Sequence, residues 1–221
     1  MLPDNCDMCH KQLVSLTRLE MDDGLCLEHE KIIKDQIESG VVEVVTDHSE
    51  QVKVGEIHYI AHHPVIRPDK DTTKVRIVYD ASARSGGPSL NDCLYVGPPL
   101  TQEILDVLLR FRVHGVALAG DIEKAFLMVS VAPEDRDALR FLWWDDLHSP
   151  QRKVQVLRFT HVVFGVTFSP FLLNATVRHY MQQFADHDPE FVQQFLRSLY
   201  VDDLNTGAND VEHGYDTSRQ S

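Results

Sequence analysis

Three aspartates in two short stretches carry the chemistry that this chain can advertise. Asp121 stands in the run Val116-Ala-Leu-Ala-Gly-Asp-Ile-Glu-Lys-Ala-Phe126, and Asp202 and Asp203 in Tyr200-Val-Asp-Asp203, 81 residues beyond Asp121. Each carboxylate ends an apolar stretch of strand-like composition. Buried without a partner it would cost on the order of several kcal/mol, so such a group normally has one. Three carboxylates converging from two strands can hold two divalent cations about 4 Å apart, the standard device for in-line phosphoryl transfer. Taken alone, Asp202-Asp203 reads first as a solvated turn, and an unrelated metal-dependent phosphotransferase could use the same three groups.

The elements that must position these residues follow from periodicity. Residues 1–18 show no clear period. From Leu25 to Ser39, Leu27, Ile32, Ile33 and Ile37 alternate with charged positions, an amphipathic helix stopped by Gly40. Val41 to Val45 is a short β-branched strand. Ile57 to Ile66 and Val75 to Tyr79 read as two strands around the polar turn Asp69 to Thr73, a candidate hairpin with basic residues near its tip. Ser85-Gly-Gly-Pro-Ser89 and Gly97-Pro-Pro99 mark loops. Thr101 is expected to cap a helix reaching Arg112, Val116 to Ala119 to be a buried strand, and Pro133 to Asp137 a short helix. Leu139 to Trp144 and Val154 to Phe159 read as strands. Ser169 is expected to cap, and Pro170 to open, a helix to Phe184, and Phe191 to Tyr200 leads into the Asp-Asp turn. Strands, hairpins and helices in this order make the class α+β.

Composition agrees with a folded chain: 43% hydrophobic and 25% charged residues are ordinary for a globular protein of one large or two small domains. No run of about 18 apolar residues occurs, so no membrane-spanning helix is expected. The N-terminus carries no secretory pattern, and Cys6, Cys9, Cys26 and Cys93 are too few for a disulfide scaffold; an intracellular, cytoplasmic setting is expected. The net charge of −13 argues against nucleic acid as a partner. Its distribution softens the objection, because residues 1–58 hold 13 acids and 5 bases (net −8) and the remainder 21 and 16 (net −5). Arg67, Lys70, Lys74 and Arg76 also cluster in the candidate hairpin. Cys6-X2-Cys9 with Cys26-X2-His29 has a permissible zinc spacing, but Cys26 and His29 fall at the start of the expected helix. Cys6-Asp-Met-Cys-His10 also matches a haem-attachment pattern, which a cytosolic chain would not use.

Read together in order, the motifs resemble a reverse transcriptase. Asp121-Ile-Glu-Lys-Ala-Phe126 resembles the family's first catalytic motif, Phe164-Gly-Val-Thr-Phe-Ser-Pro170 its central motif, and Lys74-Val-Arg-Ile-Val-Tyr-Asp80 its fingers motif. His62-His-Pro-Val-Ile-Arg-Pro-Asp-Lys70, Arg76-Ile-Val-Tyr-Asp-Ala-Ser82, and Ser89-Leu-Asn-Asp-Cys-Leu94 before Gly97-Pro98 resemble the polymerase region of BEL/Pao long-terminal-repeat retrotransposons. The resemblance runs from about Leu25 to Asp210.

The resemblance implies the fingers and palm of a right-handed polymerase, with an antiparallel palm sheet backed by helices. Residues 1–24 would be a poorly defined N-terminal segment, and residues 25–221 the fingers and palm. Asp121, Asp202 and Asp203 would hold two Mg²⁺ ions, with Mn²⁺ as a substitute. Arg76 and Lys70 would contact the triphosphate of a dNTP. Phe126 would face the sugar and select deoxynucleotides, with an ordinary core phenylalanine as the alternative. Gly165 would let the backbone approach nucleotide or template, and Ile122 belongs to the same nucleotide-binding set. The expected partners are dNTPs and an RNA or DNA template with its primer. Thumb, RNase H and integrase regions have no counterpart here, so the chain reads as a piece of a Pol polyprotein, found in virus-like particles if the element is active. A catalytically inactive remnant serving as a binding or scaffold domain is the second reading.

Overall fold

A computed structural model describes residues 2, 4–23, 25–46, 57–67 and 75–212, the side chains of 19–23 excepted. In chain order the first elements are α1 (Cys6–Asp23), α2 (Leu25–Glu38), β1 (Val42–Val44), β2 (Ala61–Ile66), β3 (Val75–Asp80) and α3 (Leu90–Cys93). Then come α4 (Ile104–Phe111), β4 (Val116–Asp121), and two 3₁₀ helices, Ala125–Met128 and Pro133–Leu139. The chain continues through β5 (Arg140–Trp144), β6 (Val154–Phe159), α5 (Ser169–Gln182), α6 (Pro189–Ser198), β7 (Leu199–Tyr200) and β8 (Asp203–Ala208). The mixture of helices with antiparallel sheets bears out the α+β class. The chain forms two compact units, Met1–Tyr95 with Ser130–Thr167, and Val96–Val129 with Phe168–Ser221.

The first unit holds an antiparallel sheet in the order β1-β6-β5 and the β2–β3 hairpin. All five residues of β5 are buried. Phe141 packs on Phe159 and on Tyr79, and His62 contacts Tyr79, Phe141, Trp143 and His29. Aromatic rings at these 4.5–7 Å separations add to area burial, so this cluster is the unit's centre.

The segment read as aperiodic is the helix α1. Its inward stripe is Cys9, Leu13 and Thr17, spaced by four. A thiol and a hydroxyl replace the apolar residues that would have signalled it. The Thr17 hydroxyl accepts from Trp144 Nε1 at 2.7 Å and donates to the Leu13 carbonyl at 2.7 Å, which satisfies these buried polar atoms.

The second unit holds a sheet in the order β4-β8-β7, with α4 and α6 against β8. Gly120 pairs with Leu204 and Leu118 with Thr206, while Asp121 pairs with Asp203 and Ala119 with Asn205. The two sets alternate between the faces of the sheet. The expectation of a buried β4 is corrected here. Ala117, Ala119, Gly120 and Asp121 are exposed and Val116 and Leu118 half-buried, because β4 is an edge strand.

Two helix starts also differ from expectation. Extended backbone at Glu103 delays α4 to Ile104, and Arg178 Nη2 holds the Leu100 carbonyl at 2.7 Å, so Thr101 does not cap. Phe168 is already helical (φ −80°, ψ −13°) and its carbonyl accepts from the Leu172 N–H, which makes Ser169 the first helical residue rather than the cap. The short helix α3, which lies where loop signals dominate, is made by a capping box. Ser89 Oγ accepts from the Asp92 N–H at 3.2 Å, and Asp92 Oδ2 accepts from the Ser89 N–H at 2.9 Å.

Candidate carboxylate site

The β7–β8 hairpin explains how two adjacent aspartates come to face Asp121. Leu199 pairs with Leu204 and Tyr200 with Asp203, which leaves Val201 and Asp202 as a two-residue turn. Val201 has φ +58°, a left-handed value that a β-branched residue adopts only under constraint. Asp202 therefore occupies the turn, and Asp203 opens β8 directly opposite Asp121. The Ile122 N–H donates to the Asp202 carbonyl at 3.0 Å. That makes position 122–202 the hydrogen-bonded one. Asp121 and Asp203 then form the closer, non-hydrogen-bonded kind of pair, whose Cα atoms lie about 4.5 Å apart.

Like charges directly opposite each other destabilise a sheet. Asp121 and Asp203 are both exposed, which lowers that cost but does not remove it. Asp202 is half-buried. Its pKa is raised by desolvation, with the Asp203 and Asp121 charges pushing the same way. The donor type and the strand register suit a hard cation that prefers oxygen ligands. The side chains as they stand are another matter: among the described residues, no three or more His, Cys, Asp or Glu groups gather closely enough to hold a metal ion. Asp202 and Asp203 belong to one hairpin and Asp121 to the neighbouring strand β4, and a cation would require rotation of their carboxylates. The same holds for the N-terminal Cys/His set. Cys9, Cys26 and His29 are buried, Cys6 is half-buried, and these residues form no metal cluster.

A cleft of about 280 Å³ runs along β4, and Leu118, Ala119, Asp121, Ile122, Phe195 and Leu204 are among the residues that line it. Phe126 lies in the 3₁₀ helix Ala125–Met128 and is only 2% exposed.

The remaining candidates lie in the first unit. Arg76 is exposed on β3, opposite Val65. Lys70 lies outside the described residues. Gly165 has φ +89°, and a Cβ there would stand 2.7 Å from the Tyr79 carbonyl oxygen, so the position requires glycine twice over. Sequence reasoning missed Val201 and Asn91. Asn91 lies within the quoted Ser89-Leu-Asn-Asp stretch, and its Nδ2 and Oδ1 bind the backbone of Gly165 and Thr167.

The chain has a reverse-transcriptase-like fold. The protease–reverse transcriptase of prototype foamy virus is similar at 18% identity and a TM-score of 0.59, over 86% of this chain and 20% of that one. A foamy viral protease–reverse transcriptase in complex with an RNA/DNA hybrid matches at 17% identity and a TM-score of 0.60, over 87% of this chain and 21% of that one. A third, in complex with double-stranded DNA, matches at 18% and 0.61, over 86% and 27%. The chain thus spans about a fifth to a quarter of the length of these structures. No family model matches the sequence, and no curated protein matches it. No helix among the described residues is long and apolar enough to cross a membrane.

Proposed function

We propose that this chain is the fingers-and-palm part of an RNA-directed DNA polymerase of the BEL/Pao retrotransposon type. In this reading the first unit supplies the fingers and the second the palm. The observation that carries it is the placement of Asp121 directly opposite Asp203, with Asp202 in the adjoining turn. That arrangement concentrates negative charge at one end of the sheet, at a stability cost that a bound cation would offset. The order of the motifs and the reverse-transcriptase-like fold support the same reading.

Asp121, Asp202 and Asp203 would hold Mg²⁺, or Mn²⁺ in its place. When bound, the metal neutralises triphosphate charge and lowers the pKa of a primer 3′-hydroxyl. The chain's own residues do the rest. The constrained Val201 turn sets Asp202 beside Asp203, and the exposed small residues Ala117 and Ala119 leave room for a nucleotide on the carboxylate face. Arg76 would offer a forked guanidinium to phosphate oxygens, and Gly165 a close backbone approach. Substrates would be dNTPs and a primed RNA or DNA template.

The test is primer extension on poly(rA)·oligo(dT) with Mg²⁺, comparing the chain with Asp202→Asn. Incorporation by the parent that the variant loses is the expected result, and no incorporation by either overturns catalysis by this chain. A second reading, nucleic-acid binding without catalysis, is favoured by one observation: the carboxylates are not already gathered into a metal cluster. It predicts template binding that is indifferent to Mg²⁺.

A further inference from the structure

We propose that Asn91 is a positioning residue, tying the Gly165–Thr167 loop to the end of β3 so that the loop presents a fixed backbone surface to a nucleotide or template. The nucleotide part rests on the function proposed above. Asn91 Nδ2 donates to the Gly165 carbonyl at 2.8 Å and to Ser82 Oγ at 3.0 Å. Its Oδ1 accepts from the Thr167 N–H at 3.0 Å, and its own backbone N–H donates to the Ala81 carbonyl at 3.1 Å. One residue thus joins chain segments more than 70 residues apart in sequence.

The chemistry demands an amide. Two donors and an acceptor must issue from one short side chain. Aspartate would keep the acceptor and set a carboxylate oxygen against the Gly165 carbonyl. Alanine would remove all three side-chain hydrogen bonds.

The base of the tie is held firmly for so short a helix. The Ser89–Asp92 capping box closes α3, Leu90 is fully buried, and Asp92 pairs with Arg84 at 3.0 Å. The loop it holds is exposed at Phe164 (62%) and at Gly165. Thr167 Oγ1 is buried without a hydrogen-bond partner, an uncommon cost. The loop therefore sits where Asn91 and the Tyr79 carbonyl place it, not where Thr167 would be best satisfied.

The experiment compares the full chain with Asn91→Asp and Asn91→Ala. Hydrogen–deuterium exchange over residues 163–168 reads the tie itself. Dependence of primer extension on dTTP concentration reads its consequence. Both variants are expected to raise exchange there by about tenfold or more, the scale of one lost hydrogen bond. They are also expected to raise KM for dTTP by about tenfold with kcat changed by less than about twofold. Unchanged exchange overturns the tie. Faster exchange with an unchanged KM in an active parent reduces Asn91 to a structural residue and overturns the positioning role. A parent that does not extend primers overturns catalysis by this chain and, with it, the nucleotide part of the proposal, while the exchange result still decides the tie.

Discussion

Asp121 and Asp203 are direct partners across strands β4 and β8, two exposed acidic residues opposite each other where β4 ends and β8 begins. Without a counter-charge the pair opposes the sheet it belongs to. Asp121→Asn should therefore leave stability in EDTA unchanged or raise it by roughly a few tenths of a kcal/mol, while lowering primer extension at least about 100-fold. Added Mg²⁺ should raise the melting temperature of the parent and not that of the variant, since only a ligand of the native state stabilises it. Thermal melts with and without Mg²⁺ check this; an equal shift in both proteins would remove Asp121 from the metal site.

Val201 carries backbone strain where it joins Tyr200 to Asp202. Left-handed backbone at a β-branched residue costs on the order of 1–3 kcal/mol, and glycine carries an entropic cost of about 1 kcal/mol. Val201→Gly is expected to be neutral or stabilising by about 1 kcal/mol in a denaturant titration. Primer extension should fall, because a relaxed turn no longer fixes Asp202. A clearly destabilised variant would show that the Val201 side chain contributes more than the strain costs.

Gly165 is the opposite case. Gly165→Ala adds a Cβ that meets the Tyr79 carbonyl at 2.7 Å, on a backbone with φ +89°. The expected loss is about 1–3 kcal/mol, or several degrees in melting temperature. A variant that melts with the parent would show that the loop can move away from β3.

Burial lowers the pKa of His62 to about 3, and the neighbouring His29 and His63 reinforce the shift. Its Nε2 donates to the Leu142 carbonyl at 3.0 Å, and its Nδ1 is buried without a partner. The folded pKa lies below the unfolded value near 6.5, so between them the unfolded chain binds the extra proton. Stability is complete above about pH 6.5 and declines as pH falls toward 3, by on the order of a few kcal/mol. His62→Gln keeps a donor for Leu142 and removes the titration. The acid side of its stability–pH curve should be shallower than the parent's, and parallel curves would refute the assignment.

Much of the fold was legible because it is local. The charged and apolar alternation of Leu25–Glu38, the β-branched run Val75–Asp80 and its pairing with Ala61–Ile66 all depend on residues close in sequence. Helix α1 was not legible, because the buried face that includes Cys9 and Thr17 is satisfied by partners such as Trp144, 127 residues from Thr17. The exposure of β4 was equally hidden: an apolar run states that a strand forms, not whether it lies at an edge.

The same division runs through the site. By itself the sequence determined which side chains could ligate a cation or contact phosphate, and that Asp121, Asp202 and Asp203 each adjoin a strand, since side-chain chemistry and local periodicity belong to the residues. Only the tertiary structure decided that Asp121 stands against Asp203, that Val201 takes a left-handed backbone, that Phe126 is buried, and that Asn91 holds a loop more than 70 residues away. Register, burial and strain are set by contacts between distant segments, and those contacts exist only once the chain has folded.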